Sequence, residues 1–287
     1  MTQIFHRSKV SCQLTPWGEA YRTGLKELAA LDVAYVEIGS RLLLPFEREI
    51  NRWRELLNET GHSVSGVFEF GHFAGWNRRR EIYLHHDRLA RMLESAGIGR
   101  VILGPGIRLK RSWTEEDRHR MMAMVTEIHK RYSFYGVAAD IHPHISHCIY
   151  TREEIDYVME RAPDDLGLVP DVGHLHEAGI AMRDLLERYG PRITALHVKD
   201  ARPAEGDPRS ARPGSRKTVF TELGSGMLDL SSLLQDLAGH DFSGFLTLEM
   251  DEVSCPPGEA VRLSLDVLKN QSSKFSQERK KIDGHVD

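Results

Sequence analysis

A single-domain (β/α)8 barrel of the α/β class, the TIM-barrel architecture, is what three features of the sequence predict. Eight short β-rich runs alternate with longer amphipathic stretches. The runs are apolar enough to be strands buried on both faces, as strands of parallel sheets are. Parallel strands need crossover helices, and eight such units in a chain of 287 residues favour a closed barrel. An open doubly wound sheet is the runner-up, weakened because no GxGxxG turn follows the first strand.

The strand candidates, in order, are KVSCQLT from Lys9, VAYVEIG from Val33, HSVSGVFEF from His62 and RVILGPG from Arg100. YGVAADIHPH from Tyr135, LGLVPDVGH from Leu166, ITALHVKD from Ile193 and GFLTLEMD from Gly244 complete the eight. Helices are expected between them. The first spans Gly18 to Leu31, and the second Pro45 to Thr60, with proline in its first turn. Glu81 to Ala96 sets Leu84, Leu89, Met92 and Leu93 along one side and stops at Gly97. Thr114 to Tyr132 opens on a capping hydroxyl, and Thr151 to Arg161 opens on TREE, a capping-box pattern with Glu154. Ala181 to Tyr189, Leu230 to Leu237 and Glu259 to Lys269 follow. Residues 201–217, rich in Pro, Gly and Arg, read as an excursion after strand seven that could cover a site. The barrel is expected to occupy residues 1–270. The polar tail, 271–287, has little to bury and is expected to be flexible.

Composition narrows the function classes. Hydrophobic residues are 40% and charged residues 28%, as in ordinary soluble domains. No apolar run is long enough to span a membrane, and the first residues lack the apolar core of a secretory signal, so a cytoplasmic location is expected. The net charge of −4 argues against a nucleic-acid partner, and the NRRR run at Asn77 to Arg80 reads as a solvated face. Three widely spaced cysteines form neither a disulfide framework nor a CxxC pair.

The fifteen histidines carry more information. In a barrel, residues at the C-terminal ends of the strands converge on one mouth. Those ends supply His142, Asp171, His197 and Glu249 from four successive strands. One such residue alone is more often a hydrogen-bonded core or surface group; four at matching positions point to a metal site. Their mixed nitrogen and oxygen donors suit Mn2+, Co2+, Fe2+ or Zn2+ better than Mg2+ or Ca2+. An open coordination position would let the ion polarise a substrate carbonyl. His174 is expected to face the pocket, with Gly173 letting the chain turn close to it. His144 and His176 are ambiguous. Glu37 and Glu69 read equally as pocket acids or as a salt-bridged rim, and Lys199 as a site group or as a rim lysine paired with Asp200. His85, His86, His119 and His129 fall within expected helices and read as outer-surface residues.

The segments DIHPHIS, DVGHLHEAG, ALHVKD, ELGSGMLDL and FLTLEMD, taken together and in this order, resemble the xylose isomerase-like barrel superfamily of sugar isomerases and epimerases, and most of all its inosose dehydratase-like branch. The strong match covers about Gly136 to Leu268. The resemblance implies a divalent metal, Mn2+ or Co2+ before Zn2+ or Fe2+, on His142, Asp171, His197 and Glu249, and a substrate contact at His174. Many epimerases of the superfamily have Glu where this chain has His142, and use that Glu with the last one to move a proton. The histidine therefore favours a lyase. The implied reaction is dehydration of a cyclic keto-polyol such as 2-keto-myo-inositol, through a metal-stabilised enolate, with His174, Lys199 and Glu249 as catalytic groups and Glu37, Glu69 and His144 as substrate contacts. A ketose or keto-sugar epimerase or isomerase is the alternative. A three-metal DNA-repair nuclease and a non-catalytic sugar-binding barrel are more distant readings. The expected partner is a small sugar or cyclitol, and pairing into a homodimer or higher homo-oligomer is common for such barrels.

Overall fold

A computed structural model of the chain describes residues 9–108, 113–204, 218–250 and 255–283, with side chains as far as 274. Its central sheet has eight strands, all parallel: β1 (Lys9–Gln13), β2 (Tyr35–Gly39), β3 (Ser63–Phe70), β4 (Arg100–Gly104), β5 (Ala138–Ile141), β6 (Gly167–Leu168), β7 (Ala195–Val198) and, last in the chain, β10 (Phe245–Leu248). They are ordered β6-β5-β4-β3-β2-β1-β10-β7. Isolated parallel bridges Leu168–Ile193 and Asp171–His197 bring the two ends of that order together. The predicted (β/α)8 barrel is therefore the observed fold.

Two short strands lie outside the barrel. β8 (Asp200–Pro203) and β9 (Thr218–Thr221) pair antiparallel. They flank the excursion after β7, most of which, residues 205–217, lies outside the described residues. Phe220 on β9 is buried and reaches back to the barrel mouth.

Ten α-helices pack around the sheet in the described residues: α1 (Tyr21–Ala30), α2 (Ser40–Leu43), α3 (Ile50–Thr60), α4 (Arg79–Ala96), α5 (Glu115–Phe134), α6 (Arg152–Met159), α7 (Val172–Ala178), α8 (Met182–Tyr189), α9 (Leu230–Gly239) and α10 (Pro257–Asp283). Thr114 and Thr151 each make the complete capping box, with Asp117 and Glu154 as return partners. α4 ends at Gly97 with φ 73°, a left-handed position that only glycine adopts without strain.

Several elements differ from the expectation. The expected Pro45–Thr60 helix is shorter: α2 ends before Pro45, a 3-10 turn covers Leu44–Phe46, and regular helix begins only at Ile50 with α3. Glu47, Arg48 and Glu49 are exposed and offer nothing to bury. Regular helix resumes only where Trp53, Leu56 and Leu57 form a stripe against the core. Leu84 is 68% exposed rather than in the core, because α4 turns Ile82, His86, Leu89 and Leu93 inward instead. His86 and His129 are accordingly buried, not on the outer surface, since each falls on the inward stripe of its helix. His86 Nδ1 lies 2.8 Å from the Tyr132 hydroxyl, and burial pushes its pKa down to about 3. DVGHLHEAG, expected as a strand end and turn, contains α7. α10 runs past Lys269 to Asp283, through most of the polar stretch.

Core and cap contributions should separate cleanly. Leu93→Ala, at a fully buried position, should lower the unfolding free energy by about 2–5 kcal/mol. Thr151→Ala should cost about 1 kcal/mol. Urea unfolding followed by tryptophan fluorescence checks both, and equal midpoints for the two variants would contradict the packing described.

Candidate functional site

The barrel mouth assembles its polar groups by strand register. β7 alternates its side chains, so His197 and Lys199 share one direction and Val198 takes the other. His197 pairs in register with Thr247 of β10, two residues before Glu249. Gln13 and Glu37, partners across β1 and β2, join through a 2.7 Å bond from Gln13 Nε2 to Glu37 Oε1.

His197 stands between two carboxylates. Its Nε2 is 2.8 Å from Glu37 Oε2 and its Nδ1 2.8 Å from Glu249 Oε2, with His197 fully buried. Burial alone would lower its pKa; Glu37 and Glu249 outweigh that and hold it well above the ordinary value. Burial likewise pushes Glu249 up, but Lys199 and His197 hold its carboxyl well below the usual range. Lys199 Nζ lies 3.3 Å from both Asp171 Oδ2 and Glu249 Oε1. Lys199 is thus an inward group rather than a rim lysine. Asp200, its expected partner on the rim, instead accepts hydrogen bonds from the backbone N–H groups of Gly224, Gly226 and Leu228.

Asp171 has two functions in one side chain. It is the N-cap of α7, with Oδ1 accepting from the His174 N–H at 2.9 Å. Its Oδ2 is buried with no hydrogen-bond partner. Burial pushes the Asp171 pKa up, and Lys199 opposes that rise. Gly173 lets this turn close on the site: a Cβ there would sit 2.9 Å from Lys199 Cγ and 2.9 Å from Phe220 Cε1. The close approach anticipated for Gly173 is made to the lysine stem.

His142 follows β5. Its Nδ1–H donates to the Val169 carbonyl at 3.0 Å, which leaves the Nε2 lone pair for another partner. Burial and the neighbouring His197 keep it uncharged, far below its ordinary pKa. Ligand atoms of His142, His197 and Glu249 lie within 4.8 Å of one another. These three residues fit one divalent cation of borderline softness, while Asp171 Oδ2, without a hydrogen bond, has the Lys199 ammonium 3.3 Å away.

The other expected site residues fall in two groups. Glu37, Glu69, His142, His144 and Glu249 line a cavity of about 860 Å3 at the mouth. Asp171, His174, His197 and Lys199 are buried and not part of that lining. Both ring nitrogens of His174 lack a hydrogen-bond partner, and its ring centre is 3.9 Å from that of His144. Burial and the Lys199 charge keep His174 uncharged. Glu69 accepts from Ser40 at 2.6 Å and meets His85 Nε2 at 2.8 Å, so the pocket and rim readings both describe it. His176 is exposed on α7. Sequence reasoning missed Gln13, Ser40, His147 and Phe220. Gln13 ends β1 as Glu37 ends β2, so the same strand-end rule would have found it. His147 stacks on His144 with ring centres 4.2 Å apart. Phe220 carried no signal, because it arrives from the far side of the excursion.

The fold and this cluster define a (β/α)8 barrel with a buried polar mouth, and the sequence comparison gives its family. The chain belongs to the xylose isomerase-like TIM barrel family, whose profile matches residues 25–271. Among its relatives is an inosose dehydratase from Glaesserella parasuis, 25% identical over 246 residues, covering 79% of this chain and 81% of that protein. An inosose dehydratase from Klebsiella pneumoniae is 29% identical over 250 residues, with the same coverage. The zinc-bound IOLI protein shares the fold at a TM-score of 0.74 and 19% identity, over 93% of this chain and 99% of that one.

Metal binding and proton binding should oppose each other here. His197 must lose its proton to ligate, so divalent-metal affinity should rise with pH until His197 is deprotonated in the free protein. The sign for stability is opposite. With its pKa raised on folding, His197 stabilises the chelator-treated protein fully below 6.5, and that contribution is lost as pH rises through the folded value. Calorimetry in buffers of different ionisation enthalpy should show proton release on binding one ion per chain. Binding without proton release would exclude His197 as a ligand.

Proposed function

We propose that this protein is a metal-dependent sugar-modifying enzyme, and specifically a carbon–oxygen lyase that dehydrates a cyclic keto-polyol of the 2-keto-myo-inositol type. The observation that carries the reading is the convergence of ligand atoms of His142, His197 and Glu249 within 4.8 Å of one another. Relatives called inosose dehydratase, similar over 79% of the chain, support the substrate class.

A divalent ion held by His142, Asp171, His197 and Glu249 would supply Lewis acidity at the substrate ketone. Mn2+ or Co2+ suits this donor set, and Zn2+ or Fe2+ is compatible. The chain's own groups do the rest. Glu37, Glu69 and His144 on the cavity wall accept and orient ring hydroxyls. His174, uncharged and with unpartnered nitrogens, stands one ring behind the cavity wall, its centre 3.9 Å from that of His144, and is assigned the proton next to the ketone where substrate reaches past His144. The Lys199 ammonium, pinned by Asp171 and Glu249, is suited to donate to the departing hydroxyl. Glu249 holds both His197 and Lys199 and so ties the donor to the metal set.

A second reading is an epimerase or isomerase on a ketose or keto sugar. Its support is geometric: Glu37 and Glu249 both face the cavity, from either side of His197, so a two-carboxylate proton transfer has its groups despite His142.

Incubation of metal-loaded protein with inososes and keto sugars, read by mass spectrometry, separates the two. Loss of one water is expected; an isomer of unchanged mass would replace the lyase by the epimerase. Asp171→Ala and Glu249→Ala should each abolish metal binding and lower turnover by at least about a hundredfold. Full metal retention in both would refute the ligand assignment. His142→Glu should move products toward rearrangement, and an unchanged product profile would remove that role from His142.

A further inference from the structure

Lys199 carries a cation into the dry part of the barrel mouth. It is 1% exposed, so water does not solvate its charge. Its stem is confined by Gly173, where a Cβ would come within 2.9 Å of Cγ and 3.0 Å of Cδ. A buried ammonium needs opposite charge, and Asp171 and Glu249 supply it.

Those two carboxylates are also two of the four residues assigned to the metal. Their oxygens are not equivalent. Asp171 Oδ1 accepts the His174 N–H at 2.9 Å. Glu249 Oε2 faces His197 Nδ1 at 2.8 Å. The other two, Asp171 Oδ2 and Glu249 Oε1, each lie 3.3 Å from Lys199 Nζ. No hydrogen bond reaches Asp171 Oδ2. The oxygens least committed elsewhere are therefore the ones the ammonium already faces.

Ligation draws a carboxylate oxygen to about 2.0–2.2 Å from a zinc-like ion. An ammonium in contact with the same oxygens would stand a few ångströms from that ion, without water to screen the pair. Like charges so placed in a low-dielectric site repel far more than a surface pair does. Both cations cannot keep these contacts. Phe220 offers the ammonium a second position, with its ring centre 4.7 Å from Nζ and its side chain buried. The face of an aromatic ring attracts a cation, and most strongly where water is excluded.

We propose that Lys199 and the divalent ion compete for Asp171 and Glu249, and that binding of the ion displaces the Lys199 ammonium from both carboxylates toward the Phe220 ring. The inference rests on the metal site of the preceding reading and adds the regulation of that site. The lysine lowers metal affinity, because the ion must displace one cation before it gains two oxygens. The proton donor assigned to the departing hydroxyl is then released from its carboxylates only when the ion is bound.

Metal affinity and geometry test this without turnover. Co2+ is titrated into chelator-treated protein at one fixed pH and followed by its visible absorption. Lys199→Met keeps an unbranched stem and removes the charge, and it should bind Co2+ at least about tenfold tighter than the wild type. Lys199→Arg keeps the charge and should bind no tighter than the wild type. Equal or weaker binding by Lys199→Met, or binding by Lys199→Arg as tight as that of Lys199→Met, would overturn the inference and leave the metal site standing. If Lys199→Met does not fold, a crystal structure of the Co2+-loaded wild type decides the point. Nζ should then lie beyond about 4 Å, the limit of an ion pair, from both Asp171 Oδ2 and Glu249 Oε1. An ammonium still 3.3 Å from both would overturn the inference. A wild type that binds no Co2+ would overturn the metal-dependent reading and this inference with it.

Discussion

A buried balance of charge at the barrel mouth is the constraint on which the rest depends. Glu37, Asp171 and Glu249 bring three carboxylates into a space from which water is largely excluded, and His197 and Lys199 bring two cations. Carboxylates so placed repel one another and lose hydration, which is costly unless partners restore it. His197 spans two of them and Lys199 bridges the third to Glu249. Asp171 Oδ2 is held by charge, the Lys199 ammonium 3.3 Å away, without a hydrogen bond.

The barrel exists in a form that can hold this cluster. Its parallel strands put the C-terminal ends at one rim, and the short helix α7 begins there. Because Asp171 caps that helix, its second oxygen has a fixed direction, and Gly173 leaves room for the Lys199 stem beneath. Phe220 covers the same stem, its ring centre 4.7 Å from the Lys199 nitrogen, and also meets the His174 ring edge-on. The ribbon of β8 and β9 therefore contributes to the site from outside the barrel. The Asp200 carboxylate, bound by the alternate backbone N–H groups of Gly224, Gly226 and Leu228, fixes the loop that leads from that ribbon to α9.

Legibility in the sequence followed physical range. Capping at Thr114 and Thr151 and the stop at Gly97 are local, and each was found where the chain writes it. Strand ends were legible because a buried parallel strand is a continuous apolar run, and that rule located His142, Asp171, His197 and Glu249. The failures were of another kind. Leu84 and His86 differ by two positions on one helix, and which of them faces inward depends on the helix's rotation against the sheet. Pro45 suggested a helix start, but whether helix continued past it depended on what Glu47 to Glu49 could bury.

By itself, then, the sequence determined the eightfold alternation of strand and helix, the barrel it implies, and the residue types available at the rim. These depend on hydrophobic periodicity and on local hydrogen bonding, both of which are properties of neighbouring residues. Only the tertiary structure decided that His197 lies between Glu37 and Glu249, and that Lys199 turns toward Asp171 and away from Asp200. Those facts join residues up to 160 positions apart, and the register of closing strands sets them. No pattern along the chain encodes that register directly.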